Sequence, residues 1–86
     1  MNVRIFATGI ESGMIVTNAV NCSSTAVACI MPSTEMRVVI VQNVDYKRIY
    51  IGDINVTPST GLEIGGGGSF EGKLHPGRTW YIIRGS

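Results

Sequence analysis

The sequence predicts an all-β fold, a small single-domain β-sandwich (jelly-roll-like or immunoglobulin-like) of about eight short antiparallel strands. First, residues 38–41 form an unbroken run of β-branched side chains, which suit a pleated strand better than a helix. Second, short segments of alternating polarity are separated by turns rich in Gly, Pro, Asn and Asp. Third, no segment shows the apolar pattern of an amphipathic helix over three turns.

The composition predicts that part of the surface is covered by other molecules. The 86-residue chain is 44% hydrophobic and only 15% charged, whereas an average domain is about 25% charged. A small domain with so little charge is expected to hide some of its surface in an oligomer or a larger assembly. The seven basic residues are scattered, which argues against binding to nucleic acid or anionic membrane. No apolar run approaches the ~20 residues of a membrane span.

The first part of the chain predicts three strands, whose sequence signals differ in strength. Residues 3–7 alternate in polarity and indicate a first strand. Residues 14–16 form a short apolar run and indicate a second strand, while the polar residues 17–24 indicate a loop or irregular arm. Residues 25–31 indicate a third strand, which ends at Pro32 because proline cannot donate to a ladder.

The strongest strand signal lies in residues 37–51. Residues 38–41 are apolar on both parities, which predicts a strand covered on both faces. Turn-forming residues 43–45 follow, and residues 48–51 then alternate, with Ile49 and Ile51 on one face. We therefore expect these two strands to form a β-hairpin at the centre of the core.

The second half of the chain predicts three more short strands, at residues 62–64, 69–74 and 78–84. The four glycines at 65–68 are expected to be too flexible for regular structure. Both faces of the last strand are apolar, so one is expected to be core and the other an interface.

The residues with reactive side chains do not form a recognisable catalytic pattern. Gly67, Gly72 and Lys73 approximate a phosphate-binding loop, but Leu74 replaces the hydroxyl residue that would hold magnesium. His75 lies in a Leu-His-Pro-Gly turn, and the six acidic residues fall singly. The sequence therefore predicts no enzyme, no cofactor and no metal site, and a nucleotide-binding domain using residues 67–73 is the weakest alternative.

The two cysteines are expected to be reduced. Cys22 and Cys29 have no secretion signal before them, so a bridge is disfavoured and a cytoplasmic origin is the default. Their spacing matches no common zinc site. Cys29 is expected to act as a small buried hydrophobe, and Cys22 to lie in a turn.

An ordered series of short signatures begins at Arg37 and covers about the last two thirds of the chain. Each signature is unspecific alone, but their order is more specific. They are RVVIVQNV at 37–44, IYIG at 49–52, VT at 56–57 with TGL at 60–62, SF at 69–70 after a glycine turn, PG at 76–77 and WYII at 80–83.

This series resembles that of small virion proteins of tailed bacteriophages, of the head decoration, cement or fibre-base type. The acidic residue often found in the glycine turn of such proteins is replaced here by glycines 65–68. The resemblance implies a structural protein that is made in the host cytoplasm and lies on the capsid surface. It would stabilise the expanded head by binding the major capsid protein, and would self-associate as a trimer. The alternative it implies is a tail- or head-fibre module that binds a host receptor or glycan.

Within one domain overall, residues 1–24 are expected to be an N-terminal strand or arm and residues 25–86 the sandwich body. Because the arm lies outside the matching signatures, it could add to the sheet edge of a neighbouring subunit. The aromatic side chains could pack in an interface or stack on sugars. The predicted interface residues are Val3, Ile5, Phe6, Tyr50, Trp80 and Tyr81.

Overall fold

Eight short β-strands and no helix make up the part of the chain that the computed structural model describes, residues 2–85. The predicted domain limits at residues 1 and 86 lie outside the described residues. Residues 2–85 contain no helix that is long and apolar enough to cross a bilayer. The strands are β1 (Asn2–Gly9), β2 (Ile15–Asn21), β3 (Val27–Ala28), β4 (Arg37–Asn43), β5 (Ile49–Gly52), β6 (Leu62–Ile64), β7 (Ser69–Leu74) and β8 (Tyr81–Arg84).

The strands form two antiparallel sheets of four strands, which confirms the predicted sandwich. Sheet A has the order β2-β1-β4-β7 and sheet B has the order β3-β8-β5-β6. Only the β1–β2 and β5–β6 connections stay within one sheet, and the other five cross between sheets. If β2 is counted as the first strand and β1 as the eighth, the two sheets have the strand order of a jelly roll. It differs from the immunoglobulin order, in which strands 1, 2, 5 and 4 share a sheet.

The core is formed by alternate residues of the facing sheets. In sheet A, β4 alternates between buried and half-buried residues. The sequence predicted that both faces of this strand would be covered, but its outer face is only partly covered. Sheet B contributes Ile49, Ile51 and Ile82. Trp80 and Phe70 pack at the margin in an edge-to-face contact, with ring centroids 5.3 Å apart. The fully buried aliphatic side chains are Val3, Ile5, Ala7, Val39, Val41, Ile49 and Ile82.

The predicted central hairpin is wrong, although both of its strands exist. β4 pairs with β1 and β7 in sheet A, whereas β5 pairs with β6 and β8 in sheet B. The turn chemistry at residues 43–45 is real, because the Asp45 amide donates to the Asn43 side chain over 3.1 Å. This turn does not fold β5 back on β4; it carries the chain across to the other sheet.

Two other strands differ in length from their predictions. β2 continues through Asn21, over most of the segment expected to be a loop. Six of its seven residues are exposed, so it lacks the alternation that marks a half-buried strand. β3 is reduced to Val27–Ala28, because β8 pairs with it over those two residues alone.

Asn43 joins the two sheets at the end of β4. Its side chain is completely buried, and its Nδ2 group donates to the Lys47 carbonyl at 2.6 Å and to the Ile64 and Gly65 carbonyls at 3.2 Å each. Its Oδ1 atom accepts the Asp45 amide. One buried amide group therefore bonds to backbone carbonyls of the crossing loop and of the end of β6, and so holds these two segments together.

The glycine turn at residues 65–68 is ordered. The Gly68 amide donates to the Gly65 carbonyl at 3.0 Å, and Gly67 has a φ of 78°, as the third residue of a type II turn requires. A Cβ at Gly66 would lie 2.7 Å from the Tyr46 backbone. The turn is also tied to Asn43, whose backbone donates to Gly68 and accepts from Gly67 at 2.9 Å each.

Asn43→Ala should lower the free energy of unfolding by about 3 kcal/mol, since it removes the three hydrogen bonds that this buried amide donates and the one that it accepts. Asn55→Ala is the matched control, because Asn55 is exposed in a loop, and it should change stability by less than about 0.5 kcal/mol. Urea unfolding followed by circular dichroism measures both variants. Equal midpoints would contradict the role given to Asn43.

Candidate functional site

The residues with reactive side chains are dispersed in the structure. His75 is exposed in the turn after β7, and no group of three or more His, Cys, Asp or Glu side chains among residues 2–85 is arranged to hold a metal. Lys73 of the phosphate-loop-like segment lies on β7, in a strand and not in a loop that could cradle a phosphate.

Both cysteine side chains are buried in the core, and the described chain has no disulfide. Burial raises the pKa of the Cys29 thiol to about 12, and the neighbouring Cys22 adds to this effect. Burial also raises the pKa of Cys22. Because the thiolate is the reactive form, these cysteines are chemically quiet at neutral pH. Cys29 is thus the small buried hydrophobe expected, whereas Cys22 is as buried as Cys29.

The most conspicuous surface is apolar and lies at the free end of the β1–β2 hairpin. Among residues 2–85, four of the nine exposed large hydrophobic residues fall within residues 10–16. We call them the hairpin surface: Ile10 (51% exposed), Met14 (66%), Ile15 (69%) and Val16 (39%). All four belong to one end of the hairpin, with Ile15 and Val16 on opposite faces of the sheet, and exposed apolar residues grouped in this way are candidates for an interaction site.

The hairpin turn is held in one conformation by its own backbone. The Gly9 amide donates to the Met14 carbonyl and the Gly13 amide to the Gly9 carbonyl, both at 2.9 Å. Gly13 has a φ of 68°, which favours glycine. The Met14 amide donates to the Ser12 hydroxyl at 3.1 Å.

Glu35, from the segment before β4, anchors the turn. Its Oε1 atom accepts the backbone amides of Glu11 and Ser12 at 3.1 Å each. The Ser12 hydroxyl and backbone, the Glu11 amide and the charge of Arg37 hold the pKa of Glu35 below its usual range. Gly9 makes room for this contact, because a Cβ there would lie 2.5 Å from Ser12 Oγ and 2.6 Å from Glu35 Oε1.

The structure separates the six predicted interface residues. Val3 and Ile5 are completely buried in the chain's own core, so their side chains are not available to a partner. Phe6 is half-buried on the outer face of sheet A, between Thr17 and Ile40 in the register. The predicted arm is not separate, since β1 lies between β2 and β4 in the sheet of its own chain.

The three other aromatic residues predicted at an interface do not form one platform. Tyr50 and Tyr81 lie on the outer face of sheet B, where the Tyr50 hydroxyl donates to Glu63 at 3.2 Å. Trp80 packs against Phe70 and lines a separate cleft of about 370 Å³. The polar side chains of this cleft are Asp53, Lys73, His75, Arg78 and Thr79.

The sequence-based interpretation missed the hairpin surface and its anchor. The available signal was the position of Ile10 and Met14 on either side of the polar Glu-Ser-Gly turn. Periodicity reports burial within the chain, and these residues are not buried. Comparison with known proteins adds no identification: no family model, no curated protein and no solved structure matches the chain.

Acidification should release the hairpin turn. Because the folded-state pKa of Glu35 is lowered, its anchoring is fully present above the ordinary Glu value of about 4.3 and is lost as pH falls through the lower folded-state pKa. Glu35→Gln should weaken the anchor at neutral pH, where the wild-type carboxylate is charged, since hydrogen bonds to a charged acceptor are about twice as strong as neutral ones.

Amide hydrogen exchange at Glu11 and Ser12, expressed as protection factors, measures this effect. Protection should fall in Glu35→Gln at neutral pH and in the wild type at low pH. Glu71→Gln is the control, because Glu71 is exposed on β7 and far from the turn in the register. Unchanged protection in Glu35→Gln would show that the carboxylate does not hold the turn.

Proposed function

We propose that the chain is a non-enzymatic structural protein of a tailed-phage virion, which decorates the head and stabilises its expanded form. The observation that supports this role is the hairpin surface: four exposed apolar side chains at a turn that Glu35 and the backbone hold in place. A pre-ordered surface of this kind binds a partner without a large ordering cost.

The proposed partner is the major capsid protein, contacted on the capsid surface where neighbouring subunits meet. A protein that binds the expanded shell but not its precursor stabilises the expanded state by mass action. Many copies on one shell make weak individual contacts sufficient. The low charge and the small sandwich are compatible with this role, and self-association would add to it.

Ile10→Lys/Met14→Lys should reduce binding to expanded capsids of the phage that encodes this chain by at least about 100-fold, since each lost apolar contact costs about 1.5 kcal/mol or more. Met31→Lys/Ile54→Lys is the matched control, because these two side chains are equally apolar and 82% and 63% exposed, but lie outside the hairpin surface. Co-sedimentation with expanded and unexpanded shells measures binding.

The wild type should sediment with expanded shells alone, and quantitative mass spectrometry of purified virions should find hundreds of copies. A handful of copies per virion would favour a tail or vertex component. Equal binding of the two double variants would remove the hairpin surface from the proposal, and absence from the virion would remove the virion role.

A second candidate function, recognition of a host glycan or receptor as a fibre module, is favoured by the Trp80 cleft. An aromatic face beside Asp53, His75 and Arg78 combines a stacking surface with hydrogen-bonding groups, as sugar sites require. Tryptophan emission should then shift when a glycan binds, and Trp80 is the one tryptophan of the chain. No shift across a broad glycan panel would exclude this function.

A further inference from the structure

The free edge of β2 lacks the features that usually protect an edge strand. β2 is the outer strand of sheet A, and its seven residues, IVTNAVN, include no charged residue and no proline. Its pairing with β1 is continuous over seven consecutive residues, without a bulge. Natural proteins normally protect such an edge with Lys, Pro, a bulge or a cover, because its unpaired backbone groups template another strand.

The hydrogen-bond pattern shows which backbone groups of β2 face outward. In an antiparallel pair, opposed residues alternate between hydrogen-bonded and non-hydrogen-bonded pairs. The Gly9 amide donates to the Met14 carbonyl, so these two residues form a hydrogen-bonded pair. Because the pairs alternate, every second residue of β2, beginning with Val16, also forms hydrogen bonds with β1. The residues between them direct N–H and C=O away from the sheet, and three of these are Ile15, Thr17 and Ala19.

The outward N–H and C=O groups of Ile15, Thr17 and Ala19 have no hydrogen-bond partner among residues 2–85. β2 pairs with β1 alone, and no contact from the loops or from side chains reaches the backbone of Ile15, Thr17 or Ala19. Three amides and three carbonyls are therefore presented in a row to one side of the molecule.

We propose that a second copy of this chain occupies this edge, through antiparallel pairing of two β2 strands about a two-fold axis at Thr17. Thr17 then faces Thr17 of the other copy, and Ile15 faces Ala19 on both sides of the axis. This register uses all three outward residues of each copy and forms six backbone hydrogen bonds. It joins the two A sheets into one sheet of eight strands.

Charge and edge length favour a second copy as the occupant. β2 carries no charge, so two identical strands meet without repulsion, and the nearest charged residue in the register, Arg4, lies one strand inside. The other edges are less suitable: β7 carries Glu71 and Lys73, while β3 and β6 are two and three residues long. Two-fold pairing of like strands is also the commonest closed symmetry.

The size of the contact predicts a concentration-dependent dimer. Five paired residues span only about 17 Å, and the area they cover is below the ~800 Å² per partner of a standard interface. The dimer should therefore dissociate on dilution. This inference does not rest on the virion role, because the purified chain alone should show it.

The decisive variant is Thr17→Pro. The Thr17 amide faces outward, so proline removes a donor that only the second copy uses and leaves the bonds to β1 in place. In sedimentation equilibrium up to about 1 mM, the wild type and the control Thr17→Val should rise from 9.2 kDa towards twice that mass. Thr17→Pro should remain at 9.2 kDa with an unchanged circular dichroism spectrum.

A charge-exchange test decides the register even if the proline variant fails to fold. Thr17→Lys and Thr17→Glu each place like charges face to face across the axis, so each alone should be monomeric, while an equimolar mixture should dimerise. A monomeric wild type, a trimer, or dimers of both single charge variants would overturn the proposal. A dimer that does not bind capsids would leave the pairing intact and remove the virion role instead.

Discussion

The fold depends on how the chain passes from sheet A to sheet B after β4, and a single buried amide controls that crossing. Asn43 ends the central strand of sheet A, yet its side chain bonds to carbonyls that belong to the crossing loop and to the end of β6. Its backbone pairs with the glycine turn that leads into β7. The same residue therefore fixes where β4 stops, where β5 starts and how β6 returns to sheet A, and no apolar residue could satisfy these carbonyls.

The opposite end of sheet A has a different character. There the end of the β1–β2 hairpin leaves apolar residues exposed, and a carboxylate on a neighbouring segment holds the turn. One end is thus closed by buried hydrogen bonds, while the other is ordered but left uncovered. The charge deficit of the sequence has a physical counterpart here, because four exposed apolar side chains fall within seven residues of this hairpin.

The sequence predicts the fold class well, because half-buried strands and turn residues leave local signals. It fails at β2, since a strand exposed on both faces shows no alternation. It pairs β4 with β5 wrongly because turn chemistry at Asn43 is local, whereas two of the three carbonyls that its amide bonds to lie 21 and 22 residues away. Alternation also could not show whether Val3 and Ile5 face the core or a partner. Glu35 was not predicted because its role depends on backbone groups 24 and 23 residues distant.

The strand order has a consequence for how the chain folds. β8 is the last strand along the chain, yet it lies between β3 and β5 in the interior of sheet B. Until residues 81–84 are in place, β3 has no neighbour in its sheet and one edge of β5 remains open. Such late, long-range strand pairing makes folding slow and exposes strand edges to other chains during synthesis. Sheet B therefore closes only after nearly the whole domain has been synthesised, and a chain cut short before β8 would be prone to aggregate.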